Sequence, residues 1–379
     1  MTGPGRIPRR RTQRGVGTYV ALGLLALLFV VAVALVASGT AGAAFQAAAV
    51  LALVPLIAVV AAVRWVDRWE PEPWPALAVA LGWGASVAVI VALVLNTGAI
   101  LVISLVSPAE DAMALGAVLV APVVEESIKG LGVLIIFGVW RRFFDGPVDG
   151  VVYAAMVAAG FAFVENILYF SATISSAAGA PDAGDAVVTV FVLRGVMSPF
   201  AHLVFTAATG LALGLAARRG GHAWVWAFPV GLVLAMVLHG AWNASAVAAG
   251  GAGFVIVYLM VHIPLFGALL GLVVWLRRRE AAVLRERLTE LVALGRLAPP
   301  DVWMRTSLSR RRQARAWARE VGPAAGAAMR ALQVAATRWA FQRHRTLAGR
   351  QDLHGWQDEV ALLGELDAAR RELGLLTGV

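Results

Sequence analysis

Apolar runs of about 20 residues recur along this chain, and a run of that length crosses the hydrocarbon core of a bilayer as one helix. Eight candidates can be marked, at about 18–38, 44–63, 75–105, 113–140, 148–171, 187–217, 223–247 and 252–276. The third and sixth are long enough to tilt or to begin as a partial turn at the interface. Of all residues, 60% are hydrophobic and 15% charged, against about 25% charged in soluble domains. The expected fold class is all-α: a polytopic membrane protein of about eight transmembrane helices over residues 18–276. A basic cytosolic arm at 1–17 precedes it, and a cytosolic helical tail at 277–379 follows.

The connections alternate in charge. RIPRRRTQR opens the chain, and later basic groups are Arg64 and Arg68, Arg141 and Arg142, Arg218 and Arg219, and Arg277, Arg278 and Arg279. The intervening loops hold Glu110, Asp111, Asp182 and Asp185 instead. Lys/Arg enrichment marks the cytoplasmic side, so both termini are expected inside. Trp65, Trp69, Trp74, Trp140, Trp224, Trp226 and Trp275 fall near the same boundary, as an interfacial belt should. The first apolar run is too long for a signal-peptide core and lacks a convincing cleavage site, so it reads as the first span. The net charge of +9 is assigned to these loops, with the lipid bilayer and not nucleic acid as the partner. Absence of cysteine excludes disulfide and thiolate chemistry. The Arg, Ala, Val and Gly bias fits a GC-rich bacterial genome, hence a bacterial cytoplasmic membrane. The tail has apolar residues at helical spacing between charges and is Arg-rich from 305 to 345. It reads as solvated, partly apposed to the membrane and attracted to anionic lipid.

Against this background APVVEESIKG, residues 121–130, stands out. It places Glu125, Glu126 and Lys129 inside an apolar stretch, and Lys129 is the one lysine of the chain. A charge at the bilayer centre costs about 2.5–3.5 kcal/mol on insertion scales, so such residues are few and tend to be functional. Spacings of three and four bring both glutamates to Lys129 on a helix. Three further spans each carry a polar turn: Glu165 and Asn166 one turn after Phe161, His202 one turn before Thr206, and His239 one turn before Asn243. At about 1.5 Å per residue, Glu165 lies roughly 9 Å from its outer span end, His239 roughly 12 Å and Glu126 roughly 20 Å; His202 lies roughly 12 Å in if Arg194 marks the working outer end of its span. These groups fall within error of one layer. Thr206 is expected to satisfy its own backbone, Arg194 to snorkel outward, and His222 and His262 to be structural.

A buried glutamate is a base near neutral pH. A neutral imidazole accepts a proton, binds a metal or donates to an oxyanion. Two His and a carboxylate make an adequate Zn²⁺ triad with an open position for water, and a second Glu can deprotonate that water. The pattern points to hydrolysis inside the membrane. Structural ion pairing and helix–helix hydrogen bonding remain open for each group taken alone. A proton-coupled transporter should show internal repeats; none is evident, and the first three spans show no matching polar groups. A non-catalytic scaffold or receptor leaves four polar turns without a purpose.

EESIK at 125–129, FAFVEN at 161–166, AHLVFT at 201–206 and HGAWN at 239–243 resemble the PrsW family of intramembrane proteases, related to the CAAX prenyl endopeptidases and Abi proteins. DRWEPEPW at 67–74 and the Asp149–Gly150 pair extend the resemblance, which covers about residues 60–250. It implies an endopeptidase, metallo- or glutamic-type, that cleaves a single-span or membrane-anchored protein substrate, as in anti-sigma-factor cleavage. The resemblance assigns Glu125, Glu126, Glu165, His202 and His239 to the catalytic motifs. Glu126 is expected to be the base, with Glu125 orienting it or pairing with Lys129. Glu165, His202 and His239 are expected as metal ligands, Zn²⁺ if a metal is bound, or as transition-state donors. Lys129, Asn166 and Asn243 are the supporting groups. The EPEPW stretch is read either as shaping a cytoplasmic entrance or as setting the interface.

Overall fold

The computed structural model describes residues 15–40, 42–141, 143–348 and 355–378. Residues 1–14 of the expected basic arm at 1–17, and Arg142, lie outside the described residues. All regular structure within them is helical: α1 (Val16–Ser38), α2 (Gly42–Val66), α3 (Trp74–Ile103), α4 (109–139), α5 (Pro147–Ser176), α6 (183–197), α7 (Ala201–Arg219), α8 (Ala223–Val257) and α9 (Ile263–Ala293). Four more helices follow: α10 (Pro299–Arg305), α11 (Leu308–Val321), α12 (Pro323–Leu347) and α13 (Gly355–Thr377).

Six runs among the described residues are long and apolar enough to cross a membrane, against about eight expected. The difference arises in two places. Helix α4 carries Glu125, Glu126 and Lys129 and so loses the apolar character of a plain span. The run Ala223–Ala293 counts as one over 71 residues, which merges the seventh and eighth expected spans. Gly250 interrupts it with φ 57°, a left-handed conformation that only glycine adopts cheaply.

The chain divides into two compact units. The first comprises Met1–Trp65, Glu72–Ala217 and His222–Gly267. Its most buried element is α5, where nearly every side chain from Val148 to Phe161 is inside; a helix apolar all round belongs at the centre of its neighbours. Pro147 opens this helix, and Asp149 Oδ2 accepts the Gly146 and Asp145 amides at 2.7 and 2.9 Å. The Asp–Gly pair thus caps the helix and then lets it touch a neighbour. A Cβ on Gly150 would lie 2.0 Å from the Gly210 carbonyl oxygen, and one on Gly160 2.0 Å from that of Leu81. Helix α5 therefore meets α7 and α3 backbone to backbone, the contact that small residues permit between membrane helices. Widened π-turns occur at Gly84–Ala88, Gly116–Val120, Val192–Met197 and Tyr258–His262; such turns leave carbonyls free and gather at functional sites.

The second unit comprises Val66–Pro71, Arg218–Gly221 and Ala268–Val379, where sequence placed the division at 276/277. Its core packs Leu284, Leu288, Leu291, Leu332, Trp339 and Leu366 around Trp69. The DRWEPEPW motif is thus divided between units. Trp69 is a core residue of the second, whereas buried Glu72 accepts the Tyr153 hydroxyl inside the first. Both contacts are structural.

Gly150→Ala is expected to lower the thermal midpoint of the purified protein, costing about 1–3 kcal/mol by overpacking. On Gly138 a Cβ meets nothing within 4 Å, so Gly138→Ala should be neutral or gain up to about 1 kcal/mol. Equal midpoints for the two variants would remove the close crossing from the account.

Candidate functional site

Helices α4, α5, α7 and α8 bring their polar turns together. On α4, Glu125, Glu126 and Lys129 share one face and are all buried, Glu126 and Lys129 at 0% exposure. Lys129 Nζ lies 2.6 Å from Glu126 Oε1, 3.6 Å from Glu125 Oε2 and 3.3 Å from His202 Nδ1. It also sits 4.2 Å from the centre of the Phe161 ring, where the ring quadrupole favours a cation. Glu126 has two more partners: Thr206 Oγ1 donates to Oε2 at 2.8 Å, and His239 Nδ1 faces Oε1 at 3.1 Å. Thr206 was expected to bond its own backbone. The buried carboxylate is the stronger acceptor, and it takes the hydroxyl instead.

The second carboxylate–imidazole pair is Glu165 Oε2 with His202 Nε2, at 2.8 Å. Arg194 Nη2 donates to the same oxygen at 2.6 Å, and its Nε donates to Asn166 Oδ1 at 3.0 Å. The guanidinium lies 3.7 Å above the Tyr169 ring. Arg194 therefore turns inward and is held by three site residues, where sequence expected it to snorkel. It sits in the Val192–Met197 π-turn, which precedes α7.

The two histidines are oriented alike. An ionised carboxylate only accepts, so the proton of each ring belongs on the nitrogen facing its glutamate. That leaves a lone pair on His239 Nε2 and one on His202 Nδ1, the latter facing the Lys129 ammonium at 3.3 Å. The rings meet edge to face at 5.2 Å. His239 Nε2 is 3.9 Å from Glu125 Oε2, and that oxygen has no hydrogen-bond partner. Glu125 Oε1 accepts from Asn96 Nδ2 on α3 at 3.3 Å.

A cavity of about 100 Å³ opens here, lined among others by Glu125, Glu165, Asn166, Arg194, His202 and His239. Glu126 does not line it. Asn243 does, yet its amide donates to the Ala117 carbonyl at 2.7 Å, an oxygen within the Gly116–Val120 π-turn. Glu125, His202 and His239 each offer a ligand atom, all within 4.8 Å of one another. The triad expected from sequence had Glu165 in place of Glu125. The geometry differs because Glu165 Oε2 is already shared by Arg194 and His202, whereas Glu125 Oε2 is unpartnered. Two imidazoles and a carboxylate, Glu125 and His239 buried and His202 partly so, with one carboxylate oxygen free of hydrogen bonds, fit a divalent cation of the Zn²⁺ type. His262 is buried against Trp242 with Ser245 Oγ 3.0 Å from its Nε2, outside this cluster. Asn96 was overlooked: it is a lone amide in an apolar span, and that isolation was its signal.

A polytopic α-helical membrane protein whose interior holds a cavity walled by carboxylates and imidazoles is a candidate hydrolase of the bilayer. Residues 72–269 match the model of the PrsW family of intramembrane metalloproteases, and the chain belongs to that family. No curated protein and no solved structure matches it.

Lys129→Met leaves Glu126 buried without its cation and should destabilise the protein by roughly 3–5 kcal/mol. Adding Glu126→Gln should restore part of that loss. Additive losses in the double variant, read from unfolding midpoints, would show that the two side chains are not coupled.

Proposed function

We propose that the cavity is the catalytic centre of an intramembrane endopeptidase, with Glu125, His202 and His239 as the metal-holding set. The observation that carries this reading is the grouping of Glu125, one oxygen of which makes no hydrogen bond, with His202 and His239, one ligand atom of each lying within 4.8 Å of the others. A divalent ion held there would supply Lewis acidity and lower the pKa of a bound water.

The remaining residues divide the work by their surroundings. Glu126 and Glu165 orient His239 and His202, the outer carboxylates that fix a ligating ring and its tautomer. Both bonds to Glu165 fall on Oε2, so Oε1 is left to the cavity and is placed to take a proton from the attacking water. This reverses the roles read from sequence: Glu126 is enclosed by Lys129, Thr206 and His239, so it is an orienting group and not the base. Lys129 balances the glutamate charge. Arg194 steadies Glu165 and presents its guanidinium at the cavity wall, near where a substrate carbonyl would develop charge. Asn166 and Asn243 hold Arg194 and the α4 π-turn in place.

The substrate in this reading is a single-span or membrane-anchored protein, and release of a transcription factor by anti-sigma-factor cleavage is the regulatory use. The arginine distribution supports a bacterial cytoplasmic membrane with both termini cytoplasmic.

Cleavage of a panel of single-span peptides in reconstituted membranes tests the assignment, with bound metal measured on the same preparations. Glu125→Gln and His239→Ala should lose both metal and cleavage. Glu165→Gln should keep the metal while kcat falls by about 10²–10⁴-fold. Full cleavage by wild type without bound metal would move Glu125 from ligand to base. Full cleavage by Glu125→Gln would overturn the site.

A further inference from the structure

The second unit holds a stretch of chain in which cations far outnumber anions. Residues 305–345 contain ten arginines and a single acid, Glu320. Arg312, Arg319, Arg330 and Arg338 are exposed, but Arg311 on α11 is buried at 4% exposure. Its Nε and Nη1 have no hydrogen-bond partner. Among the described residues no carboxylate pairs with it. The charged neighbours it feels are Arg315 and Arg305, both cationic, and burial with these two charges pushes the guanidinium down to about 10. It stays protonated at neutral pH. Arg305 has Asp301 at 3.0 Å, so its charge is answered; that of Arg311 is not.

A buried charge without a counter-ion is strongly destabilising, yet the surroundings hold Arg311 in place. Gln333 is fully buried on α12 and donates its Nε2 to the Arg311 carbonyl at 3.1 Å. Its Oε1 accepts from Arg315 Nε at 2.6 Å. One amide thereby fixes two arginines side by side. The Trp69 ring lies 5.9 Å from the Arg311 guanidinium and closes the apolar side. Arg315 is half-buried, and its cationic neighbours Arg319 and Arg330 are exposed, so positive charge runs from the surface to the buried group. A planar fork with free N–H donors beside a second guanidinium is suited to a tetrahedral oxyanion, which accepts two parallel bonds.

We propose that the second unit carries a phosphate-binding site at Arg311 and Arg315, braced by Gln333, for the phosphate group of a soluble phosphate ester or of an anionic lipid headgroup. The phosphate answers the Arg311 charge and steadies the α11 arginines that Gln333 braces from α12. The site is independent of the proteolytic reading.

The full-length protein in nanodiscs tests it, with hydrogen exchange read over 308–321 and 326–337. In one arm inorganic pyrophosphate is titrated into neutral phosphatidylcholine discs at constant ionic strength, with chloride as the control. In the other, phosphatidylglycerol replaces part of the neutral lipid. Saturable protection by pyrophosphate alone assigns a soluble ligand; protection in anionic discs alone assigns a headgroup. Either supports the site, and no protection in both arms overturns it. Arg311→Met should be at least as stable as wild type without ligand, because it removes an unanswered charge. It should lose the protection, binding roughly tenfold more weakly, the size of one charge-assisted hydrogen bond. Unchanged protection in Arg311→Met would also overturn the proposal. If that variant does not fold, Arg311→Lys keeps the charge without the fork and should bind more weakly than wild type.

Discussion

The burial of Lys129 is the constraint on which the first unit depends. An ammonium at 0% exposure is tolerable only if its three donors find acceptors. They face Glu126, His202 and, at longer range, Glu125. A guanidinium would not serve, because its flat fork cannot address three acceptors arranged around one point. This explains why a chain that uses arginine everywhere else keeps one lysine here. It also links four helices: Lys129 draws Glu126 inward, Glu126 engages His239 on α8 and Thr206 on α7, and Phe161 on α5 covers the cation.

That arrangement separates two adjacent glutamates by one residue of helical rotation. Glu126 turns into the packed interior and is fully partnered. Glu125 turns to the cavity with one oxygen answered by Asn96 and the other without a hydrogen bond, 3.6 Å from Lys129 Nζ. Sequence spacing cannot distinguish them, since i,i+3 and i,i+4 both reach Lys129. The difference is set by which neighbour each side chain meets, and that is a property of helix rotation. The same reasoning separates Glu165 from the metal-holding set: its helix places it against Arg194, a residue more than a turn before α7 begins.

Much of the architecture was legible because hydrocarbon imposes its own length. Apolar runs of membrane thickness gave an all-α polytopic fold, and the cost of a buried charge singled out Glu125, Glu126, Lys129, Glu165, His202 and His239, all now in one neighbourhood. What escaped was of another kind. Asn96 lies in a span with no charged residue to mark it. Arg194 looked like an interfacial residue until a π-turn pointed it inward. Trp69 read as part of an interfacial belt but is a core residue of the second unit. Buried Gln333 and Arg311 sit in a tail whose composition suggested only solvated helix. Each depends on a contact distant in sequence, which periodicity does not report.

The glycine crossings explain why such a site can be built on helices at all. A cluster whose donor atoms lie within 4.8 Å needs its helices held to a fraction of that distance. Interlocking large side chains would leave several rotamers to choose from. At Gly150 with Gly210 and at Gly160 with Leu81, backbone lies on backbone, and no side chain intervenes to relax. Gly160 immediately precedes Phe161 and lies five residues before Glu165, so the contact that fixes α5 against α3 also fixes the carboxylate that orients His202. The rigidity of the crossing and the aim of the imidazole are one structural fact. The site therefore depends as much on residues with no side chain as on those that carry charge.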